Sequence, residues 1–371
     1  MCCWCCCLDC IHNIPPLNLL FLHFSPSLHS SSAAAGGGEA AAVAPMASIS
    51  VPSPAPSPAE DAESIRKAVQ GWGTDETALI EILGHRTAAQ RVEIAVAYEG
   101  LYGETLLDRL HSELSGDFRS AMMLWTMDPA ARDAKLANKA LKKKGDLRHI
   151  WVLVEVACAS SPDHLVAVRK AYRAAYDSSL EEDVASSSLF RDPLRHFLAR
   201  LVSSYRYAGA GEHGGVDGEL ATAEAAELRA AVAGKEGQLL HGDVARIVGS
   251  RSKLQLAATL ERYRQEHGEA IEEALDARRG DQLAAAVLKA ALWCLTSPEK
   301  HFAEVIRTSI LGLGTDEEML TRGVVSRAEV DMEKVKEEYK ARYNATVTAD
   351  VRGDTSGYYM NILLTLVGPE K

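Results

Sequence analysis

The sequence predicts an all-α fold, and three observations carry that expectation. Of the 371 residues, 47% are hydrophobic, enough for a large core. They recur at i, i+3, i+4 and i+7 over long segments, and Leu79, Ile80 and Leu83 form part of one such stripe. Turn-rich segments of strictly alternating polarity, the mark of strands, do not occur. Finally, the chain repeats itself four times with a unit of roughly 75 residues, and a repeat of that length is one supersecondary module buried against its neighbours.

The copies can be taken in order. In the first, residues 46–127, the turn Gly71-Trp72-Gly73-Thr74 is followed forty residues after Gly73 by Glu113. In the fourth, residues 297–371, the turn Gly312-Leu313-Gly314-Thr315 is followed forty residues after Gly314 by Asp354. A single offset of 241 overlays these two copies, with Ile65 on Ile306, Arg66 on Arg307, Asp75 on Asp316, Arg86 on Arg327, Tyr98 on Tyr339 and Tyr102 on Tyr343. The second copy, residues 128–207, follows at an offset of 74, which carries Tyr98 and Tyr102 onto Tyr172 and Tyr176. The third, residues 223–296, follows at an offset of 165, with Arg86 on Arg251, Tyr98 on Tyr263 and Tyr102 on His267. The step into it is longer, 91 residues, and the excess falls in a Gly-rich stretch read as a flexible connector over residues 208–222.

Charge narrows the function classes. The net charge is −11 and no basic tract is dense, which argues against nucleic-acid binding. An acidic chain is also repelled by an anionic bilayer, so membrane binding would need something to bridge like charges. From Met46 onward charges interrupt every apolar run, so no membrane span is expected.

Each glycine turn has a purely structural account. The glycines can end one helix, Thr74 can cap the next, and Thr315 with Glu318 three residues on has the form of a capping box. The remote acid favours a metal instead. Calcium takes six to eight oxygens, many of them backbone carbonyls, often with one bidentate carboxylate. Glycines let a loop turn its carbonyls toward one point. The middle copies act as internal controls. The turn becomes Gly145-Asp146-Leu147-Arg148 in copy two, with Ser187 at the carboxylate position. It becomes Glu236-Gly237-Gln238-Leu239 in copy three, with Arg278 at that position and Asp276 as the nearest substitute acid. Motif and acid are lost together, which capping alone does not require. Two calcium sites are therefore expected, not four.

Four repeats, G-x-G-T-[DE] turns in the first and last, and a carboxylate forty residues on resemble the annexins. Trp72, the run Ser204-Tyr205-Arg206-Tyr207 and the run Cys294-Leu295-Thr296-Ser297-Pro298-Glu299 resemble plant annexins in particular. The resemblance covers about residues 46–371. It implies a slightly curved disc of four repeats with about five helices each, and calcium-dependent binding to anionic phospholipid. By position it assigns the metal ligands to the carbonyls of Val69, Gly71 and Gly73 with Glu113, and to those of Ile310, Gly312 and Gly314 with Asp354. It places Trp72 and Leu313 at the membrane, with a large apolar ring suited to the interface. The Lys142-Lys143-Lys144 run reads as a solvated face that could also hold anionic lipid. The implied setting is cytoplasmic, peripheral on membranes when calcium rises, with a role in calcium and stress signalling. Cytoskeletal partners belong to the same implication, and the oligomeric state stays open.

No enzyme is expected. The alternatives that the resemblance brings are a peroxidase-like activity centred on His85 and ion conduction. Cys158 and Cys294 read as buried, reduced thiols, against a redox pair implied by the resemblance. Residues 1–45 hold six of the eight cysteines and no Lys or Arg. They read as a non-native or disordered extension ahead of a start at Met46, with an S-acylated anchor as the alternative.

Overall fold

The computed structural model describes residues 46–71, 73–143, 146–206, 215–312 and 314–370. Residues 1–45, Trp72, Lys144, Leu313 and residues 208–214 of the Gly-rich stretch, for which the sequence raised expectations, lie outside them.

Twenty helices make up the described residues, five to each repeat. Repeat 1 holds α1 (Pro58–Ala68), α2 (Glu76–Leu83), α3 (Ala88–Tyr102), α4 (Leu106–Glu113) and α5 (Gly116–Thr126). Repeat 2 holds α6 (Pro129–Lys142), α7 (Leu147–Cys158), α8 (Pro162–Tyr176), α9 (Leu180–Ser186) and α10 (Leu194–Val202). Repeat 3 holds α11 (Gly218–Ala233), α12 (Gly242–Ser250), α13 (Lys253–His267), α14 (Ile271–Asp276) and α15 (Gln282–Thr296). Repeat 4 holds α16 (Pro298–Ile310), α17 (Glu317–Val325), α18 (Met332–Tyr343), α19 (Val347–Asp354) and α20 (Gly357–Val367). One boundary differs from the sequence reading. α11 begins at Gly218, inside the expected linker, because Asp217 accepts from the Leu220 amide and caps a good helix-forming run.

Local chemistry explains the starts and stops. Ser57 and Glu60 form a capping box on α1 with Pro58 in its first turn, and Thr87 and Gln90 form another on α3. α3 ends at Gly103 in the left-handed region, φ 70°. The registered aromatic pairs stack along the third helix of every repeat. Ring centroids lie 4.9 Å apart for Tyr98–Tyr102, 4.8 Å for Tyr172–Tyr176, 4.8 Å for Tyr263–His267 and 5.0 Å for Tyr339–Tyr343. A four-residue spacing puts both rings on one helix face. The first ring of each pair is fully buried.

The apolar side chains gather into two cores. One joins repeats 1 and 4, with Ile65, Leu79, Tyr98 and Trp125 against Phe302, Ile306, Leu320 and Leu363. The other joins repeats 2 and 3, with Leu153, Tyr172 and Phe197 against Leu228, Ile247 and Leu288. The segment at Met46–Ile49 closes the first core. The Ser48 amide donates to the Ala328 carbonyl at 2.9 Å, its hydroxyl donates to the Leu366 carbonyl at 2.5 Å, and Ile49 is buried. Between the cores runs a seam of buried charge. Glu155 of α7 accepts from Arg322 of α17 and pairs with His301 of α16 at 2.9 Å. No helix among the described residues is long and apolar enough to cross a membrane.

Candidate calcium and membrane site

The loop between the first two helices has the same construction in repeats 1 and 4. In repeat 1 the Asp75 amide donates to the Ala68 carbonyl at 2.8 Å, which closes the loop, and the Asp75 carboxylate caps α2 through the Ala78 amide at 2.9 Å. In repeat 4 the Asp316 amide donates to Ser309 at 2.7 Å, and the Asp316 carboxylate caps α17 through Met319 at 3.0 Å. Within these closed loops Gly71 and Gly73 adopt φ of 113° and 96°, and Gly312 and Gly314 adopt 127° and 99°. A Cβ at any of the four would meet no atom within 4 Å, so it is backbone conformation, not crowding, that favours glycine there.

The threonines reach across the sequence. The Thr74 hydroxyl donates to Oε2 of Glu113, the last residue of α4, at 3.0 Å. The Thr315 hydroxyl donates to the backbone carbonyl of Asp354, the last residue of α19, at 3.0 Å. Each loop is thus joined to the acid singled out forty residues on. This corrects the expectation that Thr74 and Thr315 cap the following helices. Their hydroxyls are taken by this tertiary contact, and the next residue, Asp75 or Asp316, provides the cap. The two acids also share a groove. Glu113 and Asp354 line one groove of about 370 Å³ with Glu76, Asp117 and Glu317, and no Lys or Arg lines it.

The sites differ in one contact that the sequence reading missed. Nη2 of Arg109, one turn before Glu113, donates to the Val69 carbonyl at 2.6 Å and lies 3.0 Å from Oε1 of Glu113. In repeat 4 the same register holds Asp350, which is drawn to Arg307 at 2.8 Å and to the Tyr339 hydroxyl at 2.5 Å. Asp354 is exposed and has no ion pair among the described residues. The signal for this difference was present in the 241-residue overlay, as Arg109 on Asp350.

The ligands that the resemblance names are oxygen throughout and would suit a hard cation; Glu113 meets its loop through its carboxylate and Asp354 through its backbone carbonyl. No group of three or more His, Cys, Asp or Glu suited to a metal occurs among the described residues; a loop site draws mainly on backbone oxygens and needs no such group. The middle repeats lack the set. In repeat 2 Ser187 is the C-cap of α9, and Arg148, in the first turn of α7, pairs with Asp146 and Asp316. In repeat 3 Asp276, the nearest substitute acid, pairs with Lys289 at 2.8 Å.

Nδ1 of His85 hydrogen-bonds the Ser50 carbonyl at 2.7 Å, and Nε2 lies 3.7 Å from Glu81. Lys143 pairs with Glu318 at 2.9 Å and Lys142 lies over the Tyr176 ring. Cys158 and Cys294 are free and buried in the core of repeats 2 and 3.

Comparison with known proteins agrees with this construction. The annexin family profile matches residues 60–125, 132–188 and 301–366, that is, repeats 1, 2 and 4. Annexin D3 of Arabidopsis thaliana is 48% identical over 326 residues, covering 87% of this chain and 99% of that one. Annexin-like protein RJ4 of Fragaria ananassa is 45% identical over 311 residues, covering 84% and 96%. Among solved structures, annexin III superimposes with a TM-score of 0.79 at 31% identity over 89% of this chain and 99% of that one. A calcium-bound annexin (Sm)1 superimposes with a TM-score of 0.72 at 28% identity over 84% and 90%. The chain belongs to the annexin family, whose members bind phospholipid in a calcium-dependent way.

Proposed function

We propose that this chain binds anionic phospholipid through calcium held at two loops. One uses the carbonyls of Val69, Gly71 and Gly73 with Glu113, and the other uses those of Ile310, Gly312 and Gly314 with Asp354. The observation that carries this reading is the pair of threonine contacts, Thr74 to Glu113 and Thr315 to Asp354. They join motif and remote acid in the two repeats that keep both. The shared groove adds that the two acids face one region of the surface.

The chain's own charge sets the rule. At −11 it is repelled by an anionic bilayer over the screening length of about 8–10 Å. Bound calcium supplies positive charge and open coordination positions for phosphoryl oxygens. The loops orient those positions outward, and Trp72 and Leu313, at the x position of each turn, enter the headgroup level. Binding that follows calcium makes the protein peripheral and reversible, which is the basis of the signalling role. Cytoskeletal contacts would follow from the same relocation.

Ion conduction finds one supporting observation, a cavity of about 350 Å³ lined in part by Arg132, Asp133, Glu155, Arg322 and Arg327. Those charges are paired with one another or with Asp331, Arg132 with Asp133 at 2.8 Å among them, so the membrane-binding reading is favoured.

Co-sedimentation with phosphatidylserine vesicles tests the proposal. Binding should require calcium and reverse on chelation. Trp72→Ala should weaken it by about 1–2 kcal/mol, the order for one partly buried large apolar side chain, while calcium stays obligatory. Binding that persists in chelator contradicts the calcium bridge, and an unchanged Trp72→Ala contradicts the anchor.

A further inference from the structure

Repeat 3 replaces the acid with a cation, and the structure shows what that cation does. Arg278 stands at the register of Glu113, and its side chain is only 8% exposed. Nη1 donates to the Val232 carbonyl, and Nη2 donates to the carbonyls of Gly234 and Lys235 at 3.1 Å each. Gly234 is the register counterpart of Val69. One guanidinium therefore gathers three carbonyls at the end of α11 and the start of the loop, and one of them, Gly234, is the counterpart of a proposed calcium donor in repeat 1. Asp281 lies 3.6 Å from Nη2 and also accepts from the Gly237 amide, which ties the far side of the loop to the same cluster. The charges agree too. A calcium ion with one carboxylate carries a net single positive charge, and Arg278 brings that charge without an ion.

Repeat 1 shows a weaker version of the same device. A single nitrogen of Arg109 touches both Val69 and Glu113, two members of the proposed ligand set, but its side chain is 25% exposed and comes from within the turn that carries the acid. Among the described residues no guanidinium touches the proposed ligands of repeat 4: Asp350 occupies that register, and Arg148, which reaches this loop from repeat 2, pairs with the capping carboxylate of Asp316.

We propose that arginine side chains serve as internal cations of these loops. Arg278 holds the repeat 3 loop permanently, Arg109 holds the repeat 1 loop until calcium displaces it, and the repeat 4 ligands have no guanidinium for calcium to displace. Calcium then fills repeat 4 before repeat 1, and repeat 3 keeps its loop ordered without calcium. The ranking of repeats 1 and 4 rests on the two-loop reading above; the role of Arg278 does not.

Amide hydrogen exchange on the full chain, read by mass spectrometry with calcium or chelator, tests both parts. Peptides spanning 232–241 should be protected equally in calcium and chelator in the wild type. Arg278→Gln should lose that protection, and calcium should not restore it. Peptides over 147–158 report whether the variant has unfolded as a whole. If it has, Arg278→Lys replaces it: a cation without the second fork nitrogen should lose part of the protection. Unchanged exchange at 232–241 in the folded variant overturns the role of Arg278. Peptides over 309–316 should gain protection at lower calcium than those over 68–75, and Arg109→Gln should move the repeat 1 midpoint to about tenfold lower calcium, the order for releasing one charge-assisted hydrogen bond. Coincident midpoints unmoved by Arg109→Gln overturn the ranking while the two-loop reading stands. Loops of repeats 1 and 4 that ignore calcium altogether overturn that reading instead.

Discussion

Arg86, Arg251 and Arg327 share one register, yet each finds its acid in a different place. Arg86 makes a forked contact with Asp61 at 2.6 and 2.8 Å, and Arg251 reaches Glu224 at 2.7 Å. Arg327 turns to Asp331, four residues on, and lies over the ring of Phe302, which stands where repeat 1 has Asp61. The buried forks of Arg86 and Arg327 persist because an unpaired buried guanidinium is costly, while the partner is free to migrate. The repeated arginines were therefore legible in the sequence and their partners were not. The thiols show a similar limit. Burial pushes Cys158 up to about 11, with Arg206 and Lys253 only partly opposing it. Burial also raises Cys294 well above the ordinary thiol range, with Cys158 adding to the shift. Thiolate is the reactive form, so at pH 8 iodoacetamide should leave both cysteines unmodified in the folded protein and label both in denaturant, by peptide mass mapping. Native labelling of either one would favour a redox pair.

At the scale of elements, the sequence located the two loops but misassigned their caps by one residue. Local propensity suits Thr and Asp equally at a helix start. The choice is made at the end of α4 or α19, where the Glu113 carboxylate or the Asp354 backbone carbonyl draws the threonine hydroxyl away, and no local window contains either residue. Arg109 escaped for the same reason, since its target Val69 lies forty residues back. The glycines can be tested apart from the ligands. Gly314 has a φ of 99° and open space around a Cβ. Gly314→Ala should cost roughly 1–2 kcal/mol from backbone conformation, measured by denaturant unfolding, and should weaken calcium binding at repeat 4 with repeat 1 unaffected. An alanine variant as stable as the wild type would mean that the loop can flatten, and the carbonyl geometry argued here would not hold.

For the whole molecule, the internal overlay gave four repeats but not their pairing. An offset of 241 measures likeness, and the cores show that likeness here coincides with contact: repeats 1 and 4 pack together, as do 2 and 3. The seam between these halves is polar, and Glu155 is its centre. Burial lowers the Arg322 guanidinium to about 9 and His301 to about 3, so this seam carries desolvated groups held by one carboxylate. Glu155→Ala strands Arg322 and should destabilise the protein by about 3–5 kcal/mol, seen as a lowered midpoint in chemical denaturation; a loss within 1 kcal/mol would mean that the pair is not needed to join the halves. The pairing of repeats also places Glu113 and Asp354 on one groove, and the central claim is that these two acids complete two calcium sites. Calcium titration calorimetry with phosphatidylserine vesicles tests that directly. One site should disappear in Glu113→Ala, the other in Asp354→Ala, and both in the double variant, whereas lipid-dependent calcium binding that survives unchanged in the double variant would contradict the account.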